Sequence, residues 1–324
     1  MHKIIIDTDP GIDDAQAIAF AIAHPDIELL GLTTVFGNAD VSITTNNALL
    51  LLDLFARPNI PVAGGEGKPL QQAKFPPADF VHGTDGLGNL NLPSSDRKAL
   101  DESAAEFIVR LANEQPGEIT IVAIGPLTNI AKAVMLDPQL PSKIKQLVIM
   151  GGTIDEPGNV SPIAEANFIN DPHAADIVLS HDWPATLIGL DVTHKVMLTD
   201  GNLKELKDKA KKTGQFLWDS SRFYVDFYVN RRGPEEQDLE RSCAMHDASA
   251  VVYVVAPDAF EVVSGAARVI TDGVAIGQVA IDRKGNEYLV SHWDDRPNTH
   301  AAMQLDAERV RRVFLDALIE HAPV

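Results

Sequence analysis

Short apolar runs and longer stretches of helical spacing take turns along the first 190 residues. Residues 3–7 (KIIID) are a brief apolar run closed by an acid, the pattern of a buried strand. Residues 13–23 (DDAQAIAFAIA) predict a helix, with acids in its first turn, where the helix dipole favours negative charge. The same reading predicts strand 27–35, helix 42–56, a short strand 60–63, helix 102–114, strand 119–123 and helix 127–136. Strand 145–150, helix 171–180 and strand 185–190 follow. Strands that alternate with helices predict an α/β fold with a mainly parallel central sheet and helices on both faces.

Three stretches break the alternation. Residues 64–98 are rich in Gly, Pro and Asp and predict a long surface loop. Residues 151–170 are loop-like directly after strand 145–150, and residues 214–246 hold a Tyr/Phe-rich helix followed by the polar segment RRGPEEQDLER. Loops of this length in a compact domain are usually functional or disordered. With no internal repeat and no Pro/Ser-rich linker, one domain over 1–324 is the simplest organisation.

Composition narrows the partners. Hydrophobic residues make up 45% of the 324, enough for a substantial core, and the formal net charge is -19. So acidic a surface repels phosphate backbones and anionic lipid, which argues against nucleic acid and membranes and leaves neutral metabolites and divalent cations. Cys243 is the single cysteine, so no intramolecular disulfide can form, in keeping with a reducing cytosol. The start, MHKIIID, is too briefly apolar for a signal peptide, and no apolar run reaches the ~18 residues of a membrane span, so a cytoplasmic location is expected.

The strongest local signal is Asp7-Thr8-Asp9-Pro10-Gly11-Ile12-Asp13-Asp14, four aspartates where a strand hands over to a helix. Ligands of parallel α/β sheets bind at the carboxyl ends of the strands. Carboxylates this close repel one another unless a cation or strong donors intervene, and oxygen ligands suit Ca²⁺ or Mg²⁺ rather than zinc. Helix capping explains one or two of the four. Asp7-x-Asp9 after an apolar strand also resembles the Mg²⁺-dependent haloacid dehalogenase-like phosphohydrolases, whose first aspartate is a nucleophile. Those sequences usually continue with Thr or Val soon after the second aspartate, where this chain has Pro10-Gly11-Ile12. There is no GxxxxGK[ST] phosphate loop and no GxSxG nucleophile elbow.

Further segments extend the signature: Phe36-Gly37-Asn38, His82-Gly83-Thr84-Asp85-Gly86-Leu87-Gly88, Gly125-Pro126-Leu127-Thr128-Asn129, Met150-Gly151-Gly152, Gly158-Asn159, Ala164-Glu165-Ala166-Asn167 and His246-Asp247. In this order, with Asp9 to Asp14, they make the chain resemble the inosine-uridine-preferring nucleoside hydrolase family over nearly its whole length. The resemblance implies that Asp9, Asp14 and Asp247 bind Ca²⁺ through carboxylates and Ile124 through its backbone carbonyl. It assigns Asp13, Asn38, Asn159, Glu165 and Asn167 to the ribose hydroxyls and Met150 to the sugar pocket. His82 and His246 fall near the base. The implied reaction is hydrolysis of a ribonucleoside to ribose and free base. A Ca²⁺-bound water loses its proton to Asp9 and attacks C1′ through an oxocarbenium-like transition state, while His246 protonates the leaving base. The resemblance further implies uridine and inosine as substrates, a homo-oligomer (dimer or tetramer), and a place in nucleoside catabolism or in purine and pyrimidine salvage.

Two features depart from the family pattern or read ambiguously. Ala166 stands where relatives often carry a larger apolar residue, and residues 214–245 match least. Within the latter, Tyr224 and Tyr228 lie four apart on one helical face and are candidates for the base side, although such a stripe also serves as core packing. Glu165 and Asn167 alternate, which predicts one face of an extended segment.

Overall fold

The computed structural model describes residues 1–290 and 292–323. Its strands are β1 His2–Thr8, β2 Ile27–Thr34, β3 Val62–Gly64, β4 Ile119–Ala123, β5 Gln146–Met150, β6 Ala185–Ile188, β7 Met197–Thr199, β8 Ser242–Ala244, β9 Phe260–Val269, β10 Val279–Asp282 and β11 Asn298–Leu305. Nine of them form one sheet in the order β10-β9-β11-β6-β5-β4-β1-β2-β3, while β7 and β8 pair separately as an antiparallel ribbon. From β3 to β6, and on to β11, neighbouring strands run parallel; β9 and β10 pair antiparallel at the far edge.

Strands covered on both faces read as unbroken apolar runs. In β1, Ile4 and Ile6 enter one core while Ile5 enters the other, because successive side chains point to opposite faces. Helices Ile12–Ala23, Val41–Leu54, His246–Val255 and Ala307–His321 cover the first face. Helices Ala104–Glu114, Thr128–Leu136 and Pro172–Val178 cover the second. The sequence-predicted strands and helices through residue 190 are all present, with ends displaced by at most two residues.

Strand order decides where a ligand can go. From β1 the chain moves outward to β2 and β3, then returns to pair β4 on the other flank of β1 and continues to β5 and β6. The crossovers therefore leave a crevice at the carboxyl ends of β1 and β4, the switch point at which parallel sheets bind ligands. Asp7, at the end of β1, lies in register with Thr33 of β2 and Ala123 of β4.

One local expectation is corrected. Glu165 and Asn167 do not share a face of an extended segment. Glu165 caps helix Ala166–Asn170, its carboxylate accepting from the amides of Asn167 (2.8 Å) and Phe168 (3.2 Å), and Asn167 lies in the first turn. The cap satisfies amides that an isolated helix start leaves unpaired, and this outweighs the alternating pattern.

Candidate active site

The crevice opens into a cavity of about 700 Å³. Its floor is built from strand ends and helix starts. Asp9 follows β1, and Asp13 and Asp14 occupy the first turn of helix Ile12–Ala23. Asp14 is fully buried. It accepts from Thr8 Oγ1 (2.5 Å) and the Asp9 amide (3.2 Å) on one oxygen, and from the Gly11 amide (2.8 Å) and Asn38 Nδ2 (3.0 Å) on the other. Asp247 opens helix His246–Val255 and arrives from the far end of the sequence. Oxygens of Asp13, Asp14 and Asp247 lie within 4.8 Å of one another, so these three can hold a metal ion.

Asp9 lies outside that trio and does not itself line the cavity, but it is near enough for Asp14 to raise its proton affinity and for it to raise that of Asp247. Its Oδ2 accepts the Asn38 amide at 2.7 Å, and its Oδ1 is buried without a partner. The niche requires two glycines. A Cβ on Gly37 would fall 2.0 Å from Oδ2 and one on Gly125 2.6 Å from Oδ1, so any side chain at either position would displace the carboxylate. This close approach accounts for Gly in the Phe36-Gly37-Asn38 and Gly125-Pro126 segments.

Burial together with mutual repulsion sets the electrostatics of the floor. Burial and the Asp14 charge hold Asp9 well above the usual carboxylate range, and Asp247 is raised well above it by burial and by Asp13, Asp14 and Asp9. Asp13 and Asp14 are each pushed up to about 6, mainly by burial. Glu165 is pushed up to about 7 by burial, against the amides of Asn167, Gly152 and Phe168. Among the described residues no lysine or arginine pairs with any of these five carboxylates. Such a cluster is costly unless a cation neutralises it. Asp9 and Asp13 each keep one buried oxygen without a partner, the kind of hard donor that a divalent ion attracts.

The remaining sequence-predicted residues gather around this floor. Asn38, Ile124, Met150, Asn159, Glu165 and Asn167 all line the cavity. Asn167 Nδ2 donates to the backbone carbonyls of Ile124 (3.0 Å) and Met150 (3.1 Å), while Asn159 Oδ1 accepts the Ala166 amide (3.0 Å).

A second group forms the opposite wall. Tyr224 Oη donates to Asp13 Oδ2 (3.3 Å) and lies 3.5 Å from Tyr228 Oη, which in turn is 2.7 Å from His246 Nε2. His246 Nδ1 is 2.7 Å from Thr193 Oγ1. The result is a continuous chain of polar atoms from the floor to His246. Burial, with His194 and His82 nearby, lowers His246 to about 3, so the ring is neutral at pH 7. His82 is likewise neutral, lowered to about 4 by burial. Its Nδ1 accepts the Ile12 amide (3.2 Å), which leaves the proton on Nε2. His82 also stacks on Tyr224 with centroids 5.6 Å apart. Tyr224 is thus both buried against the core and part of the cavity wall.

The sequence profile described as inosine-uridine preferring nucleoside hydrolase matches residues 4–312. The chain belongs to that family. It is 43% identical to uridine nucleosidase 1 of Arabidopsis thaliana over 310 residues, covering 95% of this chain and 90% of the relative. The inosine-uridine preferring nucleoside hydrolase of Crithidia fasciculata is 36% identical over 321 residues, 98% of this chain and 97% of that one. The solved structure of a plant nucleoside hydrolase superposes with a TM-score of 0.92 at 39% identity, covering 98% and 99% of the two chains. The protein is a ribonucleoside N-glycosyl hydrolase. No helix of this hydrolase, among the described residues, is long and apolar enough to cross a membrane.

Family membership removes the phosphohydrolase alternative, and the geometry gives the physical reason. Asp7 is fully buried and does not line the cavity, and its Oδ1 is held by Thr33 Oγ1 (2.5 Å) and Asn129 Nδ2 (2.8 Å). It ties β1 to its neighbours and has no access to act as a nucleophile. Sequence reasoning also missed residues of the hydrolase site. Thr193 and His194 reach His246 from the segment after β6, and His194 packs edge-on with ring centroids 5.3 Å apart. Arg231 and Arg232 line the cavity mouth. Thr8, inside the aspartate motif, was legible as a polar residue there, whereas Thr193 carries no local signal.

Proposed function

We propose that this nucleoside hydrolase uses Ca²⁺ at the cavity floor and takes uridine and inosine as its preferred substrates. The observation that carries the reading is the convergence of five buried carboxylates, from three separate segments, with no lysine or arginine paired to any of them among the described residues. That surplus of negative charge suits both a divalent cation and a sugar that becomes cationic in the transition state. Asp9, Asp14, Asp247 and the Ile124 carbonyl would hold the ion. Bound there, Ca²⁺ supplies a more acidic water and a fixed point for ribose hydroxyls.

The chain's own residues do the rest. Asp13, Asn38, Asn159, Glu165 and Asn167 hold the ribose, and Met150 packs beside it. Asp9 takes the proton of the attacking water, a role supported by its free Oδ1 and its raised proton affinity. Water oxygen bonds to C1′ as the C1′–N bond breaks, and that electron pair leaves on the base. His246 hands its Nε2 proton, or one drawn through Tyr228, to the departing base. The contacts of Nδ1 with Thr193 Oγ1 and of Nε2 with Tyr228 Oη orient the ring for that transfer. His82 and Tyr224 flank the base.

The test is ribose release from uridine, cytidine, inosine, adenosine and guanosine, with Ca²⁺ and after chelation. Fastest release from uridine and inosine, lost on chelation and restored by Ca²⁺, is the expected result. Full activity in chelated protein would remove the ion from the reading, and a preference for adenosine would overturn the base assignment.

A further inference from the structure

Arg231 lies just past helix Lys211–Val229 and lines the mouth of the cavity. Its guanidinium sits over the Phe227 ring, 4.0 Å from the centroid, and 5.6 Å from that of Phe80. The Tyr224 and Phe227 rings are nearly parallel (3°) with centroids 6.4 Å apart, and Tyr224 in turn stacks on His82. A column of flat groups thus climbs from the buried floor to an exposed cation. Arg231 has no side-chain hydrogen bond or ion pair among the described residues. Arg232, the other cation of the lining, is engaged: it donates to the carbonyls of Leu239 (2.8 Å) and Glu240 (2.6 Å) and to Ser242 Oγ (2.9 Å). Arg231 is therefore the cation of the lining with free donors, in a protein of net charge -19.

We propose that Arg231 selects bases carrying an exocyclic keto oxygen, uracil and hypoxanthine, over cytosine and adenine, by donating a hydrogen bond to that oxygen. The inference rests on the proposed placement of the base against Tyr228 and His246. A guanidinium can only donate. The keto oxygens O4 of uracil and O6 of hypoxanthine accept, whereas the amino groups at the same positions of cytosine and adenine present N–H to N–H. Both keto oxygens lie on the part of the ring remote from the glycosidic nitrogen. With the ribose fixed at the carboxylate floor, they face the mouth, where Arg231 sits.

The same contact favours the reaction as well as binding. As water oxygen bonds to C1′, the C1′–N electron pair moves onto the base. One proton of that water passes to Asp9, and one proton reaches the base. Before that proton arrives, uracil carries negative charge that is shared with O4. A fixed cation at O4 then interacts more strongly with the transition state than with the bound nucleoside. Loss of Arg231 should lower kcat for uridine as well as raise KM.

The experiment compares Arg231→Met, which keeps an unbranched apolar stem against Phe227, with the parent on uridine, cytidine, inosine and adenosine at saturating Ca²⁺. The kcat/KM for uridine and inosine should fall about 10- to 100-fold, the scale of one charge-assisted hydrogen bond, while cytidine and adenosine change less than about 3-fold. Arg231→Lys should recover part of the loss for the keto bases alone. An equal fall on all four substrates would mean that Arg231 only packs the mouth, and no fall on any would mean that it does not reach the base; either overturns the proposal. Tyr228→Phe and His246→Ala, run on the same four substrates, separate the two levels. If they slow release while Arg231→Met leaves the ratios unchanged, this proposal alone fails. If they too have no effect, the base does not lie at this end, and the placement beneath the proposal fails with it.

Discussion

The floor of the cavity and its mouth differ in how their side chains are held. On the floor, Asp14 accepts four hydrogen bonds, Glu165 accepts three backbone amides, and Asp9 sits in a niche with glycine on two sides. Asp9 follows the end of β1, and Asp14 and Glu165 stand at helix starts, so their positions follow from the fold's rigid elements. At the mouth, Phe80 is 64% exposed, and the Arg231 guanidinium rests on aromatic faces with no side-chain hydrogen bond among the described residues. Chemistry common to every substrate needs fixed geometry and falls on the rigid part. The parts that distinguish one base from another lie where a substitution disturbs few other contacts.

If that division is correct, damage to the floor should hit every substrate alike, and damage to the mouth should depend on the leaving group. Metal removal is the largest expected effect. Exhaustive chelation should bring ribose release to background for all nucleosides, and Ca²⁺ should raise Tm, by about 2.7 kcal/mol of stability at 100 times its Kd. A calorimetric scan with and without Ca²⁺ checks it; an unchanged Tm would argue against an ion on the folded floor.

Asp9→Asn comes next. It keeps the shape of a buried side chain and removes the base, so turnover should drop by about 10²–10⁴-fold on uridine and inosine equally. Folding should be retained, since one of several repelling carboxylates is gone. Near-normal turnover would strip Asp9 of its role, and a fall confined to one base would break the division between floor and mouth.

His246→Ala sharpens the comparison from the other side. Natural nucleosides should slow by about 10²-fold or more, because their bases leave poorly without a proton. A p-nitrophenyl riboside, whose phenolate leaves readily, should slow little. Equal slowing of both would mean that His246 shapes the metal or sugar site through its neighbour Asp247.

The smallest effect is expected at Thr193→Val, which keeps the shape and removes the hydroxyl 2.7 Å from His246 Nδ1. Loss of one orienting hydrogen bond should cost about 3- to 10-fold in kcat on natural nucleosides and nothing on the nitrophenyl riboside. A loss on both substrates would place Thr193 with the floor.

Much of the fold was legible because its first 190 residues obey simple periodicities: Ile4, Ile5 and Ile6 make an unbroken apolar run in β1, and each following helix carries its own spacing. The three C-terminal strands were not legible. In β9, Glu261, Val262 and Ser264 are outward or exposed while Gly265 approaches β10 closely, so no uninterrupted apolar run marks the strand. The aspartate motif was legible as a cation site because four carboxylates within eight residues have no comfortable alternative. Glu165 and Asn167 were read in the wrong local conformation, since two alternating polar residues look the same in a strand or beside a helix cap.

The sequence by itself determined the parallel α/β architecture, the acidic turn after the first strand and the residue types that ring it, because these depend on neighbours within a few positions. Only the tertiary structure decided which carboxylates meet. It draws Asp13, Asp14 and Asp247 together from positions more than 230 residues apart and leaves one buried oxygen of Asp9 without a partner. It also joined Tyr228, His246 and Thr193 into one chain and set the Arg231 guanidinium on the Phe227 and Phe80 rings at the mouth. Such pairings are set by the order of strands in the sheet and by the packing of a helix across its edge, and neither leaves a periodic trace in the sequence.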